Sequence, residues 1–198
     1  FGGRSQCALH FQNEQKSSVL ITFRKTRLGP THGTIRNIQN NKQVVSIQVL
    51  KNIYQIALVT GAGRGIGAAT AKKLTESGAK VLVNDLDEEV AQSVASALPG
   101  AVAHQGDLTD PKMGDELVEK AIQNFGGLDI VVNNAGYIWH SAIHNMSDEQ
   151  WDAMIDIHIS AQFRVLRAYG RWLRQVANKD SEIRKVVNIS STMGLHGG

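Results

Sequence analysis

A glycine-rich segment, Thr60-Gly61-Ala62-Gly63-Arg64-Gly65-Ile66-Gly67, constrains this chain more than any other part of its sequence. The apolar run before it, Ile56–Val59, is typical of a buried strand, and residues 68–77 after it have the composition of a helix that ends at Gly78. A turn between a strand and a helix presents backbone N–H groups and the positive helix end to a phosphate. The segment therefore predicts that the chain binds a dinucleotide.

An acidic residue at the end of the next predicted strand supports the same interpretation. Asp85 follows the last glycine of the turn by 18 residues. A carboxylate at this place accepts hydrogen bonds from the adenosine ribose and repels a 2′-phosphate, so it favours NAD over NADP. Arg64 argues the other way, because a cation inside the turn attracts that phosphate. NADP thus stays open as a cofactor, as does a simple strand-end role for Asp85.

The charge is divided unevenly along the chain, although the net charge is only +3. The first 52 residues carry eight Lys or Arg against Glu14 alone, a balance of +7, and the remainder has a balance of −4. A basic, acid-poor leader resembles an organelle transit peptide, but a disordered arm or a stretch foreign to the mature protein fits as well. We expect residues 1–50 to lie outside the fold and residues 51–198 to form one domain.

Composition excludes several classes of site. The single cysteine, Cys7, allows no internal disulfide and no multi-cysteine metal centre, and we expect no metal. No window approaches the roughly 18 consecutive apolar residues of a membrane span. A membrane is therefore not an expected partner, and because the aromatic residues of the leader are scattered, nucleic acid is not expected either. The expected location is cytoplasmic, or the mitochondrial matrix if the leader is a transit segment.

From residue 54 onward, predicted strands and helices alternate with short links, which indicates a parallel sheet covered on both faces. The predicted fold class is α/β, a Rossmann-type doubly wound parallel sheet in the order 3-2-1-4-5. We expect Asp110 and Pro111 to begin the third helix and Ser147 to begin one long final helix. The predicted strands are Tyr54–Thr60, Lys80–Asp85, Ala101–Gln105, Leu128–Asn133 and Lys185–Ser190, and the predicted helices are Gly65–Ser77, Glu88–Leu98, one ending at Phe125 and one ending near Ala177.

Five ordered motifs resemble the short-chain dehydrogenases/reductases, and the resemblance runs from about residue 51 to the end. The resemblance implies that the glycine turn holds the cofactor pyrophosphate, that Asp107 meets the adenine, and that Ser191 orients the substrate carbonyl. It also implies that the segment around Asn134 lines the cofactor. The implied cofactor-binding residues are Gly61, Arg64, Gly65, Ile66, Gly67, Asp85, Asp107, Leu108, Asn134, Ala135 and Gly136, within the motifs TGAGRGIG, Asp85, Asp107-Leu108, Asn133-Asn134-Ala135-Gly136 and Val187–Ser191.

The chain departs from the family pattern at two points. The family's reactive tyrosine lies four residues before a lysine, and none of Tyr54, Tyr137 and Tyr169 has a lysine at that spacing. We expect this pair, and the last strands of the sheet, to lie beyond Gly198. His158 stands where the family usually has an asparagine that holds a water in the proton relay. Imidazole also donates and accepts, so His158 is either a catalytic candidate or a helix residue packed against the sheet.

The resemblance implies a short-chain oxidoreductase that transfers a hydride between NAD(P) and a carbonyl or secondary alcohol. The segment Tyr137–Arg167 is most similar to beta-ketoacyl-acyl-carrier-protein reductases, so a beta-ketoacyl thioester is the candidate substrate. The alternative is a dinucleotide-binding fragment without turnover. We expect the full-length parent to be a homo-oligomer and this chain alone to be inactive.

Overall fold

Five parallel strands form one sheet in a computed structural model that describes residues 55–176 and 183–191. Their spatial order is β3-β2-β1-β4-β5, which confirms the predicted topology. The predicted leader, residues 1–50, lies outside the described residues. The strands are β1 (Ile56–Val59), β2 (Lys80–Asp85), β3 (Val102–Gln105), β4 (Ile130–Asn133) and β5 (Lys185–Asn188).

Helices cover both faces of the sheet. The helices are α1 (Gly65–Glu76), α2 (Glu88–Ser96), α3 (Met113–Phe125), α4 (Asp148–Ile155) and α5 (Ala161–Val176), with a 3-10 turn at Ile143–Asn145 and a π-helical turn at Asp156–Ser160. Every residue of β1 and β4 is buried. On one face Leu58 and Leu82 pack with Leu117 of α3, and on the other Val59 and Val83 belong to a cluster that reaches α1 and α2. This double cover explains why the two central strands read as continuous apolar runs.

Several helix ends form as their sequences predict. The Asp87 side chain accepts hydrogen bonds from the first turn of α2, and Ser147 forms a capping box with Gln150 at the start of α4. Gly126 closes α3 with a left-handed backbone (φ 88°). Most other elements are shorter than predicted by one or two residues at an end. Strand β1, for example, ends at Val59, and Thr60 already belongs to the turn that follows it.

The predicted start of α3, with Asp110 as the N-cap and Pro111 as the first helical residue, is wrong by two residues. Asp110 does accept a hydrogen bond from the backbone N–H of Lys112 (2.8 Å), as a capping residue would. The next bond, however, joins Met113 N to the Asp110 carbonyl (3.1 Å), which is an i to i+3 pattern. This tight turn around Pro111 precedes the α-helix, which begins at Met113.

The single long helix predicted after Ser147 is interrupted. A π-helical turn over Asp156–Ser160 separates α4 from α5, and α5 ends at Val176 within the described residues. Such turns widen the helix by one residue and often mark functional sites. Two residues of this turn make contacts with other segments: Asp156 pairs with Arg164, and His158 contacts Tyr137.

A buried tyrosine closes the edge of the sheet opposite to the glycine turn. The Tyr169 hydroxyl donates to the carbonyls of Leu128 and Asp129 (both 3.3 Å), which precede β4. Burial raises the pKa of the Tyr169 phenol far above its ordinary value, and the nearby Arg184 lowers it by a smaller amount. Tyr169 therefore stays protonated and acts as a structural anchor, remote from the candidate site.

Helices α3 and α5 approach closely at Gly114. A Cβ built on Gly114 would lie 2.6 Å from the carbonyl carbon of Arg164 and 2.8 Å from the backbone nitrogen of Val165. Backbone atoms cannot yield as a flexible side chain can, so position 114 sets the separation of the two helices.

We predict that Gly114→Ala lowers the free energy of unfolding by about 1–3 kcal/mol, because the added methyl group overpacks this contact. Gly170→Ala is the matched control, since Gly170 lies in α5 and a Cβ added there would lie within 4 Å of no neighbouring atom of the described residues. The control should gain up to about 1 kcal/mol from helix propensity. Chemical denaturation measures both, and equal stability of the two variants would contradict the role of Gly114.

Candidate cofactor and substrate site

The carboxyl ends of the strands bring the predicted cofactor residues to one edge of the sheet. The glycine turn follows β1, Asp85 ends β2, Asp107 lies two residues beyond β3, and Asn134 follows β4 directly. In open parallel sheets this edge, at the point where the strand order reverses, is where ligands bind. Here the reversal falls between β1 and β4.

Helix α1 begins without a cap. Its N-cap residue, Arg64, has an extended backbone (φ −155°) and no side-chain cap hydrogen bond, and the first turn contains no acidic residue. Helix α2, in contrast, is capped by Asp87 and has Glu88 and Glu89 in its first turn. The first turn of α1 therefore keeps its N–H groups and positive potential for an external anion such as a phosphate.

Gly67 lets this helix pack directly on the turn. A Cβ at position 67 would lie 2.2 Å from the carbonyl oxygen of Gly61 and 2.5 Å from Nδ2 of Asn134. Gly65 adopts a left-handed backbone (φ 55°) at the start of the helix. Both positions thus require glycine for reasons of backbone geometry.

Thr60 joins the glycine turn to the segment after β4, a role that sequence reasoning did not assign to it. Thr60 is 1% exposed, and its hydroxyl accepts hydrogen bonds from the backbone N–H groups of Asn134 (3.0 Å) and Ala135 (3.1 Å). In return, Nδ2 of Asn134 donates to the carbonyls of Thr60 (2.9 Å) and Gly61 (3.0 Å). A threonine directly after a buried apolar strand was the available signal.

The carboxylate of Asp85 lies against the glycine turn. Its Oδ2 accepts a hydrogen bond from Gly63 N (2.8 Å), and its Oδ1 accepts one from Asp87 N (3.2 Å). The guanidinium of Arg64 pairs with Asp87 (3.1 Å), and both side chains are largely exposed. An exposed pair is worth only about 0–1 kcal/mol, so Arg64 can exchange it for another anion.

The segment after β3 forms a tight turn. Asp107 is exposed, and its Oδ1 accepts hydrogen bonds from the backbone N–H and the hydroxyl of Thr109, both at 2.8 Å. Leu108 is buried in the core beside Met113 and Leu117. The core thereby anchors the turn while the Asp107 carboxylate stays at the surface.

His158 lies at the segment after β4. Its Nε2 donates a hydrogen bond to the Tyr137 carbonyl (2.8 Å), and its ring lies against Gly136. The π-helical turn therefore brings the imidazole to the predicted cofactor-lining residues after β4.

Ser191 lies three residues beyond β5 and is exposed. The end of β5 is held beside β4 by a hydrogen bond from the Asn133 side chain to the Asn188 side chain (2.8 Å). A second bond joins Ile189 N to the Asn133 carbonyl (2.9 Å). Ser191 thus lies beyond the carboxyl end of β5, at the same edge of the sheet as Asn134 and His158.

The described part of the chain shows neither a group of three metal-ligating side chains nor a helix long and apolar enough to cross a membrane.

Comparison with known proteins decides the family. The sequence model described as "short chain dehydrogenase" matches residues 55–198, which is more than half of the chain. The chain belongs to the short-chain dehydrogenase family. The fold, the glycine turn after β1 and the resemblance stated from the motifs agree with this assignment.

Curated relatives of this short-chain dehydrogenase include two with named acyl substrates. The hydroxyacyl-CoA dehydrogenase ChsB1 of Mycobacterium tuberculosis is 42% identical over 155 residues, covering 72% of this chain and 49% of the relative. The 3-oxoacyl-[acyl-carrier-protein] reductase FabG of Thermotoga maritima is 33% identical over 147 residues, covering 72% and 58%. The chain thus spans about half the length of these relatives.

A solved structure gives the same result. The 3-ketoacyl-(acyl-carrier-protein) reductase from Brucella melitensis, in complex with NADH, superimposes with a TM-score of 0.61 at 32% identity. The match covers 65% of this chain and 54% of that one. NAD(P) is the cofactor class of the family to which this chain belongs.

We predict that Thr60→Val destabilises the protein and weakens cofactor binding together. The substitution leaves the half-buried N–H groups of Asn134 and Ala135 without their acceptor, at a cost of about 1 kcal/mol for each, the lower end of the range for buried groups. Thr60→Ser, which keeps the hydroxyl, should retain most of both properties. Thermal unfolding and NADH fluorescence titration measure the effects, and normal NADH affinity in Thr60→Val would contradict the role given to Thr60.

Proposed function

We propose that this chain carries the cofactor-binding unit of an NAD-dependent oxidoreductase that interconverts 3-oxoacyl and 3-hydroxyacyl thioesters. The observation that supports it most is the assembly at one edge: the uncapped start of α1, Asp85 beside the turn, and the Asn134 segment tied to Thr60. The thioester class comes from relatives named hydroxyacyl-CoA dehydrogenase and 3-oxoacyl-acyl-carrier-protein reductase. A dinucleotide-binding module without turnover is the alternative.

Each predicted site residue has a place in this proposal, and Asp107, beside the buried Leu108, meets the adenine. The bound nicotinamide supplies or accepts the hydride. The turn residues Gly61, Arg64, Gly65, Ile66 and Gly67 hold the pyrophosphate, and Asp85 binds the adenosine ribose. The Asn134–Gly136 segment lines the cofactor, and the Ser191 hydroxyl donates a hydrogen bond to the substrate oxygen as negative charge develops there.

His158 keeps a relay role in the proposal. Because Nε2 donates to the Tyr137 carbonyl, the neutral ring carries its second nitrogen, Nδ1, as an acceptor. An acceptor at this place holds a water molecule, which is the role that the family asparagine has. Self-association of the parent, its cellular location and a separate leader over residues 1–50 stay predictions.

We predict that the protein prefers NAD over NADP and that Asp85→Ala narrows this preference by about tenfold or more. The change removes both the acceptor for the ribose and the charge that repels a 2′-phosphate, a repulsion on the order of several kcal/mol at a tight contact. Asp115→Ala, an exposed substitution on α3, serves as the control. Titration with NADH and NADPH gives the ratio. Tighter binding of NADPH by the unmodified protein would show that Arg64 dominates.

We predict that the 198-residue chain oxidises NADH with acetoacetyl-CoA at least about 100-fold more slowly than the full-length parent. General acid catalysis is worth about 10²–10⁴-fold, and the chain has no tyrosine followed four residues later by lysine. The Ser191→Ala variant of the parent should also turn over slowly, and its rate tests the hydrogen bond that the serine donates to the substrate oxygen. Comparable turnover by the chain would refute the role of the missing pair. A parent that binds NADH without turnover would favour the alternative.

A further inference from the structure

One arginine connects the helix pair α4–α5 to the turn after β3. Nη2 of Arg164 pairs with Oδ1 of Asp156 at 2.8 Å, and Nη1 donates to the backbone carbonyl of Thr109 at 3.0 Å. The Arg164 side chain is 19% exposed, so solvent screens these contacts far less than it screens the surface pairs. The guanidinium is planar and has fixed donor directions, and the two partners therefore fix its position relative to the turn.

The position of Thr109 determines that of the Asp107 carboxylate. Oδ1 of Asp107 accepts hydrogen bonds from the backbone N–H and from the hydroxyl of Thr109. The backbone carbonyl of Asp107 accepts a hydrogen bond from Asp110 N at 3.0 Å. Within the described part of the chain, the second carboxylate oxygen, Oδ2, makes no hydrogen bond. The turn therefore holds one oxygen rigidly and keeps the other available to a ligand.

The turn lies where a bound dinucleotide would have its base. Strand β3 pairs with β2 on the side away from β1, and Gly106 N donates to the Asp85 carbonyl at 3.0 Å. With the pyrophosphate at the glycine turn and the ribose at Asp85, the base extends outward towards β3. Adenine offers an exocyclic amino group as a donor, and a carboxylate only accepts.

The family resemblance already implies that Asp107 meets the adenine; we propose that Arg164 is the residue that positions this carboxylate, acting through Thr109, so that it accepts a hydrogen bond from the amino group of the base. This inference rests on the proposed function, since it requires a bound adenine dinucleotide. Asp156 orients Arg164 from the π-helical turn. The same turn carries His158, which contacts Tyr137 at the other cofactor-lining segment. The π-helical turn thus supports both segments.

The test compares NADH with its hypoxanthine analogue, deamino-NADH, in which a carbonyl oxygen replaces the amino group. The full 198-residue chain is titrated with each ligand by fluorescence. We expect the unmodified chain to bind NADH about tenfold more tightly than deamino-NADH, as one hydrogen bond to a charged acceptor allows. Arg164→Ala should reduce the ratio of the two affinities to near one, chiefly by weakening the binding of NADH. Arg164→Lys should retain part of the preference for NADH.

Two further variants separate positioning from general stability. Arg171, which lies on α5 like Arg164, forms an exposed ion pair with Asp115 of α3, and Arg171→Ala should leave the ratio unchanged. Asp156→Asn keeps the size of the side chain but removes the charge that orients Arg164, so it should lower the ratio partway. This variant decides the test if Arg164→Ala fails to fold.

The outcomes distinguish this inference from the proposed function. An unmodified chain that binds neither ligand would refute the proposed function itself. Binding of both ligands without discrimination would overturn the inference and leave the proposed function standing. Equal losses of affinity for the two ligands in the Arg164 or Asp156 variants would show a purely structural role and would also overturn it.

Discussion

The candidate site depends on one buried contact at the carboxyl end of β1. The hydroxyl of Thr60 accepts two backbone N–H groups from the segment after β4, and Asn134 returns two hydrogen bonds to the backbone of the glycine turn. These four bonds lie in the crevice where the strand order reverses. Because buried polar groups are expensive to leave unpaired, they hold the two segments at one fixed separation. The proposed cofactor site is bordered by these two segments.

The π-helical turn between α4 and α5 gives the site its second support. Its Asp156 holds Arg164, which reaches the turn after β3, and its His158 reaches the Tyr137 carbonyl after β4. Helix α5 itself is held against α3 by the close approach at Gly114 and against the far edge of the sheet by Tyr169. Packing far from the site therefore sets the positions from which these side chains act.

Much of the fold was predictable because its signals are local. The strand order followed from alternating apolar runs and helices, since parallel strands need crossovers and crossovers are right-handed. The capping box at Ser147 and the glycine at position 126 marked helix ends through bonds between near neighbours. The start of α3 was misplaced because an aspartate makes the same side-chain hydrogen bond at the start of a tight turn as at the start of an α-helix. In this structure Asp110 caps the tight turn. The π-helical turn at Asp156–Ser160 could not be recognised from the pattern of apolar residues, because the residues on both sides of it suit a continuous helix.

The sequence by itself determined the topology of the sheet, the phosphate-type turn and the family, because each rests on residues that are close together in the chain or on ordered motifs. Only the tertiary structure decided which side chains support the site. Thr60 meets Asn134 across 74 residues, and Arg164 meets Thr109 across 55. Such contacts exist only after the core has brought the strand ends and helices together, and no local pattern of residues encodes their geometry.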